Sequence, residues 1–414
     1  MNNLMSEQLL SDIQRFKKEL LSEFSAINNY WLSTVLNDQG FLGEISAVGE
    51  AKADADKGII LTTRMLWYFS EAALYAPEPS LVAAAHKMYD FIAQHFIDQE
   101  HGGVFWSLDA NGDVVNGRKQ TYAQAFAVYA LSAYYRLSRN MVALTSARSI
   151  YGFIEKHAYD SVHGGYFEAF DRDWGALDDI RLSEKDLPSA KTMNTHLHML
   201  EAFTGLLQAE RVAANVAAAT NVENSLKRLL ETYENNFIDY SNGHLKMFLS
   251  RDWTDESIEL SYGHDIESSW LVWEALEVLA VPALTKRYQS QVETLFSTCF
   301  KEGIAKDGSA LEVFDLESGK AIHERIWWVQ AEAMVGYFNA WQMTADDKYW
   351  QAVLAVWHFI KEQVIDSAHG EWHWVAQCDQ QAQQSFYKVG FWKGPYHNGR
   401  SLIELCRRIE SLKK

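Results

Sequence analysis

The stretch Gly263-His264-Asp265-Ile266-Glu267 sets an imidazole and a carboxylate three residues apart, one helical turn, where a loop gives way to a strongly apolar run. Imidazole is the side chain whose ordinary pKa lies nearest neutrality, and a neighbouring carboxylate raises its basicity. The pair therefore reads as a proton carrier, His264, oriented and charged by Glu267. Metal ligation is the rival use of the same residue types. The chain has no HExxH, no thiolate cluster and no repeated ExxH pairs of the di-iron kind, so no metal is expected. Phosphate-cradling glycine motifs of the GxGxxG or Walker type are also missing, and no nucleotide or other cofactor is expected.

Five more apolar runs begin with polar residues: Arg64 in KGIILTTRMLW, Tyr122 and Gln124 in KQTYAQAF, and Asn194, His196 and His198 in KTMNTHLHMLEAF. The last two hold Trp327, Trp328, Gln330 and Glu332 in ERIWWVQAEAM, and Trp392, Tyr396, His397, Asn398 and Arg400 in FWKGPYHNGR. Such groups cost several kcal/mol each if buried unpaired, so they are expected to pair with one another or to line one wet cavity. Asn194 and His198 are four apart and share a helix face, whereas His196 and His198 point about 200° apart. His198 is expected in the cavity and His196 in packing.

The elements that must position these residues are repeats. NDQGFLGEI, QEHGGVFWSL, SVHGGYFEAF, SNGHLKMFL, KDGSALEVF and SAHGEWHWV share a glycine among aromatics, and Gly40, Gly102, Gly164, Gly243, Gly308 and Gly370 follow at steps of 62, 62, 79, 65 and 62 residues. Each step holds an amphipathic helix before the glycine, as at Val222, Leu226, Leu229, Leu230, Tyr233 and Phe237, and a helix apolar nearly all round after it, as over 266–279. Six outer and inner pairs with short β-hairpins or loops at one end describe an all-α (α/α)6 barrel, and residues 1–414 are expected to form one catalytic domain. The long third step comes from an insertion over 171–191, expected to form a lid or rim.

Composition narrows the partners. A net charge of −18 disfavours a phosphate backbone, so no nucleic acid is expected. The N-terminal 20 residues lack the apolar stretch of a signal peptide and no run of 18 apolar residues occurs, which points to a cytoplasmic protein without a membrane partner. Cys299, Cys378 and Cys406 lack CxxC spacing and are expected as core thiols. A monomer or weak homo-oligomer is expected.

The strings ADKGIILTTRMLW, LDDIRLSEKDLPSAKTMNTHLHMLEAFT, GHDIESSWLVWEA, WWVQAEAMVGYFNAW and GFWKGPYHNGR span nearly the whole chain and resemble the cellobiose 2-epimerases of the N-acylglucosamine 2-epimerase superfamily. The resemblance implies an (α/α)6 barrel that works without metal or nucleotide and converts a reducing-end glucose to mannose through its open-chain form. Carried over residue by residue, it places acid/base histidines at His264 and His397, with Glu267 partnering the first and His397 the principal base at C2. Arg64, Tyr122, Asn194 and His198 support them, Glu332 joins the substrate-binding set, and the sugar-stacking tryptophans fall on Trp392 and one of Trp327 and Trp328. Gly394 stands where many members carry cysteine, a departure that bears on fine specificity.

The expected substrate is therefore a β-1,4-linked disaccharide such as cellobiose or lactose, epimerised at C2 of its reducing-end glucose by ring opening and proton transfer through an enediolate, with Arg64 and His198 stabilising the anion. A mannose 2-epimerase or mannose isomerase would share every one of these residues. An (α/α)6 glycoside hydrolase is the alternative of another class, with only Glu267 and Glu332 as its carboxylates. A glycan-binding protein without activity has no need of two histidines, an arginine and a glutamate together.

Overall fold

The computed structural model describes residues 7–37, 40–379 and 386–412, and among them twelve α-helices alternate between an outer and an inner layer. In chain order the outer and inner partners are α1 (Glu7–Tyr30) and α2 (Ile59–Tyr75), α3 (Pro79–Phe91) and α4 (Thr121–Ser138), and α5 (Met141–Phe153) and α6 (Met193–Val212). They continue as α7 (Val216–Thr232) and α8 (Tyr262–Leu279), α9 (Pro282–Glu302) and α10 (Trp327–Thr344), and α11 (Asp347–Phe359) and α12 (His397–Ser411). Sequence character sets the layer. On α7 Val222, Leu226, Leu229 and Leu230 form the one buried stripe, whereas α2 is buried at every position from Ile59 to Ala73. The reading of α8 as apolar all round holds for its first half only, since Trp273 and Val278 are partly exposed.

The ring closes because each inner helix packs on the next, α2 on α4 through to α12 on α2, and on the outer helix that follows it, with α1 seated on α12. This is the (α/α)6 barrel. A belt of short antiparallel pairings runs round the end where the inner helices begin: 44–46 with 387–389, 57–58 with 107–108, 119–120 with 169–170, 191–192 with 248–249, 259–261 with 313–315, and Ile326 with Val375. The belt brings the first turns of all six inner helices to one rim.

The repeat glycines all sit at positive φ, from +74° at Gly102 to +130° at Gly40, a region that side chains disfavour. The Gly102, Gly164 and Gly370 amides donate to the carbonyls of Asp98, Asp160 and Asp366, whose carboxylates in turn hold the buried Lys119, Lys191 and Lys388 at 2.9, 3.1 and 2.7 Å. Those lysines lead into α4, α6 and α12. The 171–191 insertion is tied down at Trp174, whose indole N–H donates to the His101 carbonyl at 3.0 Å while its ring stacks on His157. Asp179 and residues 181–186 of that segment line the central cavity as a rim.

Cys299 and Cys406 are buried as expected, but Cys378 is exposed, because it lies in a short surface turn beyond the last glycine loop. Among the described residues no helix is long and apolar enough to cross a membrane.

α10 and α8 approach closely at Gly336, where an added Cβ would stand 2.5 Å from Ile266 Cγ1 and 2.9 Å from its carbonyl oxygen. Gly336→Val should force α10 off α8 and lower stability by about 1–3 kcal/mol, read as a lower denaturant midpoint; an unchanged midpoint would show the contact to be slack.

Candidate active site

The rim opens on a cavity of about 760 Å³ lined by residues from all six inner helices or the segments that lead into them. Counting each inner helix from its first residue explains the lining. The sixth positions of α2, α4, α6, α8 and α10 are Arg64, Phe126, His198, Glu267 and Glu332, and these meet around the barrel axis. The Arg64 guanidinium lies 4.8 Å from the Phe126 ring, and Phe126 lies 4.9 Å from His198. The ninth positions, Trp67, Tyr129, Glu201 and Trp270, form a layer one turn deeper.

Fourth positions have a different task. Gln124, His196, Asp265 and Gln330 each accept the backbone N–H two residues beyond a repeat glycine, at Val104, Tyr166, Leu245 and Ala310, over 2.8–2.9 Å. Gln124 and Gln330, grouped by sequence with the cavity residues, thus clamp glycine loops instead. His196 lies in this clamp, fully buried and pushed down to about 3 by that burial.

Three histidines stand on the cavity wall, each tied through Nδ1. His397 is held by Glu332 Oε1 at 2.6 Å, His198 by Glu201 Oε2 at 3.0 Å and His264 by Ser261 Oγ at 2.7 Å. Nε2 of each remains to face whatever fills the cavity. Burial, with Arg64 and Arg400 nearby, keeps His397 well below its ordinary pKa. Burial and the neighbouring His198 take His264 down to about 3, and burial also lowers His198 against the pull of Glu201. All three are neutral bases at neutral pH.

The expected Glu267–His264 pair is not formed. At i and i+3 the two share a helix side, but Ser261, the N-cap of α8, takes the imidazole, and Glu267 turns to Arg400, accepting from Nη2 at 2.6 Å. Glu267 lies 3.9 Å from His397 Nδ1 instead. Glu332 is displaced from its expected place as well. It stands behind the wall, 1% exposed, where His397, Arg400 and the Trp270 indole all donate to it.

Arg64, Tyr122, Asn194, Trp327, Trp328 and Trp392 do line the cavity. Arg64 donates to the Tyr122 hydroxyl at 3.0 Å and to the Trp392 carbonyl at 2.5 Å. Trp328 is the more exposed of its pair and stands between His264 and His397, at ring separations of 4.8 and 5.5 Å, with its N–H on Glu312. Burial raises Glu312 to about 7. Among the described residues Arg64 Nε, Trp327 Nε1, Asn194 Oδ1 and Glu267 Oε2 are buried without a partner, two N–H donors, an amide oxygen and a carboxyl oxygen left for a polyhydroxylated ligand.

Sequence reasoning missed Glu201, the Ser261 contact and the central place of Arg400. Glu201 is three residues after His198, the same spacing that singled out His264 and Glu267. Arg400 Nη1 binds Glu201 and Nη2 binds both Glu267 and Glu332, while Tyr396 donates to Glu201 from the other side. Burial opposes the Glu201 charge, but Arg400 and His198 hold it at about 2. Glu267, Glu332 and His397 bring donor atoms within 4.8 Å of one another. This is the outline of a cation site, but the Arg400 guanidinium already occupies both carboxylates and His397 Nδ1 is spent on Glu332, so the donor set does not fit a metal.

The N-acylglucosamine 2-epimerase family profile matches residues 40–397. The cellobiose 2-epimerase of Bacteroides fragilis is 37% identical over 394 residues, 95% of this chain and 98% of the relative. The solved structure of cellobiose 2-epimerase from Bacillus thermoamylovorans B4167 superposes with a TM-score of 0.89 at 34% identity, covering 95% of this chain and 100% of the other. A more distant relative, the D-mannose isomerase of Marinomonas mediterranea, is 22% identical over 412 residues, 92% of this chain and 94% of the relative. A family match over most of the chain, joined to relatives above one-third identity along nearly its whole length, makes this protein a member of the N-acylglucosamine 2-epimerase family, a carbohydrate epimerase and so an isomerase.

Proposed function

We propose that the chain, acting as one catalytic domain, epimerises C2 of the reducing-end glucose of a β-1,4-linked disaccharide such as cellobiose or lactose, without metal or nucleotide. The observation that carries this reading is the set of neutral imidazoles, fixed at Nδ1 and open at Nε2, on one wall of a cavity that also presents Arg64. Such bases suit both proton movements of the reaction. The ring opens as the anomeric hydroxyl proton leaves and the ring oxygen gains one, with His264 as acid/base group. His397 then takes the C2 proton, made acidic by the C1 aldehyde, and the enediolate accepts a proton on the opposite face of C2, from the protonated His397 after rotation about the C2–C3 bond or from His264 as the second acid/base group.

Negative charge builds on O1 and O2 in that step, and Arg64 and His198 supply donors for it. The Trp328 face between the two histidines supports stacking of the reacting sugar, with Trp392 as the second platform. The disaccharide preference rests on the size of the cavity, which extends to the 179–186 rim and to Trp374 and Phe386, well beyond the histidines. The curated relatives named cellobiose 2-epimerase support the same preference over the D-mannose isomerase, which is less similar.

Incubation with cellobiose, lactose, glucose and mannose separately, with products resolved by chromatography, tests the substrate. An intact disaccharide with a mannose reducing end is expected; free glucose from cellobiose, or a ketose as the main product, would overturn it. In D₂O the product should carry deuterium at C2, since the C2 proton passes through an exchangeable imidazole. Product retaining the original hydrogen would mean a hydride shift.

Two variants probe the arrangement. Glu332→Gln removes the charge behind His397 and should lower kcat roughly 10²-fold with the fold intact, whereas near-normal turnover would detach Glu332 from the mechanism. Trp174→Ala frees the insertion from the His101 carbonyl and the His157 ring without touching His198, His264 or His397. KM for cellobiose should rise several-fold while KM for glucose stays put, and an equal rise for both sugars would refute the rim's selectivity.

A further inference from the structure

Three carboxyls from three inner helices, Glu201 of α6, Glu267 of α8 and Glu332 of α10, converge on the single guanidinium of Arg400 from α12. All four side chains are at most 3% exposed. One cation cannot neutralise three carboxylates in a dry interior. From the cavity this cluster is faced by His198, His264 and His397, each a neutral imidazole, and by Arg64, which spends its bonds on Tyr122 and the Trp392 carbonyl. On its deeper side stands Glu274, which burial and the neighbouring Glu404 raise to about 8 and so keep protonated, and beyond it Glu71 and Glu404 are paired with Arg136, Arg407 and Arg408. Two fixed cations, Arg64 and Arg400, thus face three carboxyls, and one carboxyl must carry a proton.

Hydrogen bonding identifies which. Glu201 accepts on both oxygens, from Arg400, Tyr396 and His198. Glu332 also accepts on both, His397 and Arg400 on Oε1 and the Trp270 indole on Oε2. Glu267 accepts on Oε1 alone, and its Oε2 is buried with no partner among the described residues, on the cavity wall. An ionised oxygen there would have no donor; a protonated one has a hydrogen to give.

We infer that Glu267 is carried as a neutral carboxylic acid whose Oε2–H donates a hydrogen bond to the sugar oxygen that becomes negative in the enediolate. Burial and the adjacent Glu332 push the Glu267 carboxyl far above its usual range, in the same direction as the charge count. No bond breaks in this role. The donor is in place before the charge appears and strengthens as it builds, the way a carboxylic acid held neutral in an apolar site serves an oxyanion. The assignment of the oxygen rests on the epimerase reading, while the protonation state does not.

The test is infrared difference spectroscopy on the full chain without ligand at neutral pH, wild type minus Glu267→Gln. Expected is the loss of a carbonyl band of a protonated carboxylic acid that shifts on exchange into D₂O. Loss of carboxylate bands instead would overturn the inference, whatever the enzyme acts on. Glu267→Asp covers the case in which the Gln variant does not fold: its difference spectrum should show the acid band displaced, and a displaced carboxylate band would count against the proposal. Kinetics supply an independent arm. Glu267→Gln keeps an N–H donor near the same place and should retain KM within about threefold and lose about tenfold in kcat, whereas Glu267→Leu, with no donor, should lose 10²–10³-fold, the usual effect of deleting one oxyanion donor. Equal losses in the two variants would overturn the donor role.

Discussion

Arg400 is the side chain on which the arrangement of the barrel's interior depends. It projects from the last helix of the chain, and through its two terminal nitrogens it binds carboxylates of α6, α8 and α10. α12 otherwise packs on α1, α2 and α10, so this one guanidinium links the closing helix to the far wall. Its underside lies over the Trp270 and Tyr396 rings at 4.8 and 4.2 Å, which fixes its plane. A buried charge network of this kind adds little net stability against an apolar core of the same shape, yet removing one partner strands the others. What it secures is register: Glu332 and His397 meet only if α12 and α10 stand at one height.

Much of the fold was legible because it is repeated. A glycine at positive φ returning at steps near 62 residues, with a wet helix before it and a dry one after, leaves few architectures open. The common direction of the inner helices was legible too, and it gathers their polar first turns. Closure followed from the six repeats, but which short strands pair round the belt did not, because strands of two or three residues carry no periodicity to detect.

The site was legible in its residues more than in its pairings. Spacing alone put His264 beside Glu267, and i, i+3 does place two side chains on one helix side, but it says nothing of competitors from other helices. An N-cap serine one turn back and an arginine 133 residues away outbid the local partner. The same rule, applied to His198, would have found Glu201, which the structure does pair with it. Aligning the six inner helices on their first residue would have separated the fourth positions, which clamp loops, from the sixth, which face the axis. Gln124 and Gln330 fall outside the cavity set on that alignment alone.

That register also explains why the resting site is electrically balanced. With Glu267 protonated, Arg64 and Arg400 face Glu201 and Glu332, and the imidazoles are neutral because burial disfavours their charge. In the proposed reaction, an enediolate formed with the proton held on a histidine would keep the site neutral as a whole but separate charge across it. Six helix N-termini, each carrying about half a positive charge, surround the cavity in which the proposed anion would form. The belt that closes the barrel is therefore also the element that aims those dipoles, so the fold and the chemistry meet in the same few residues at the head of each inner helix.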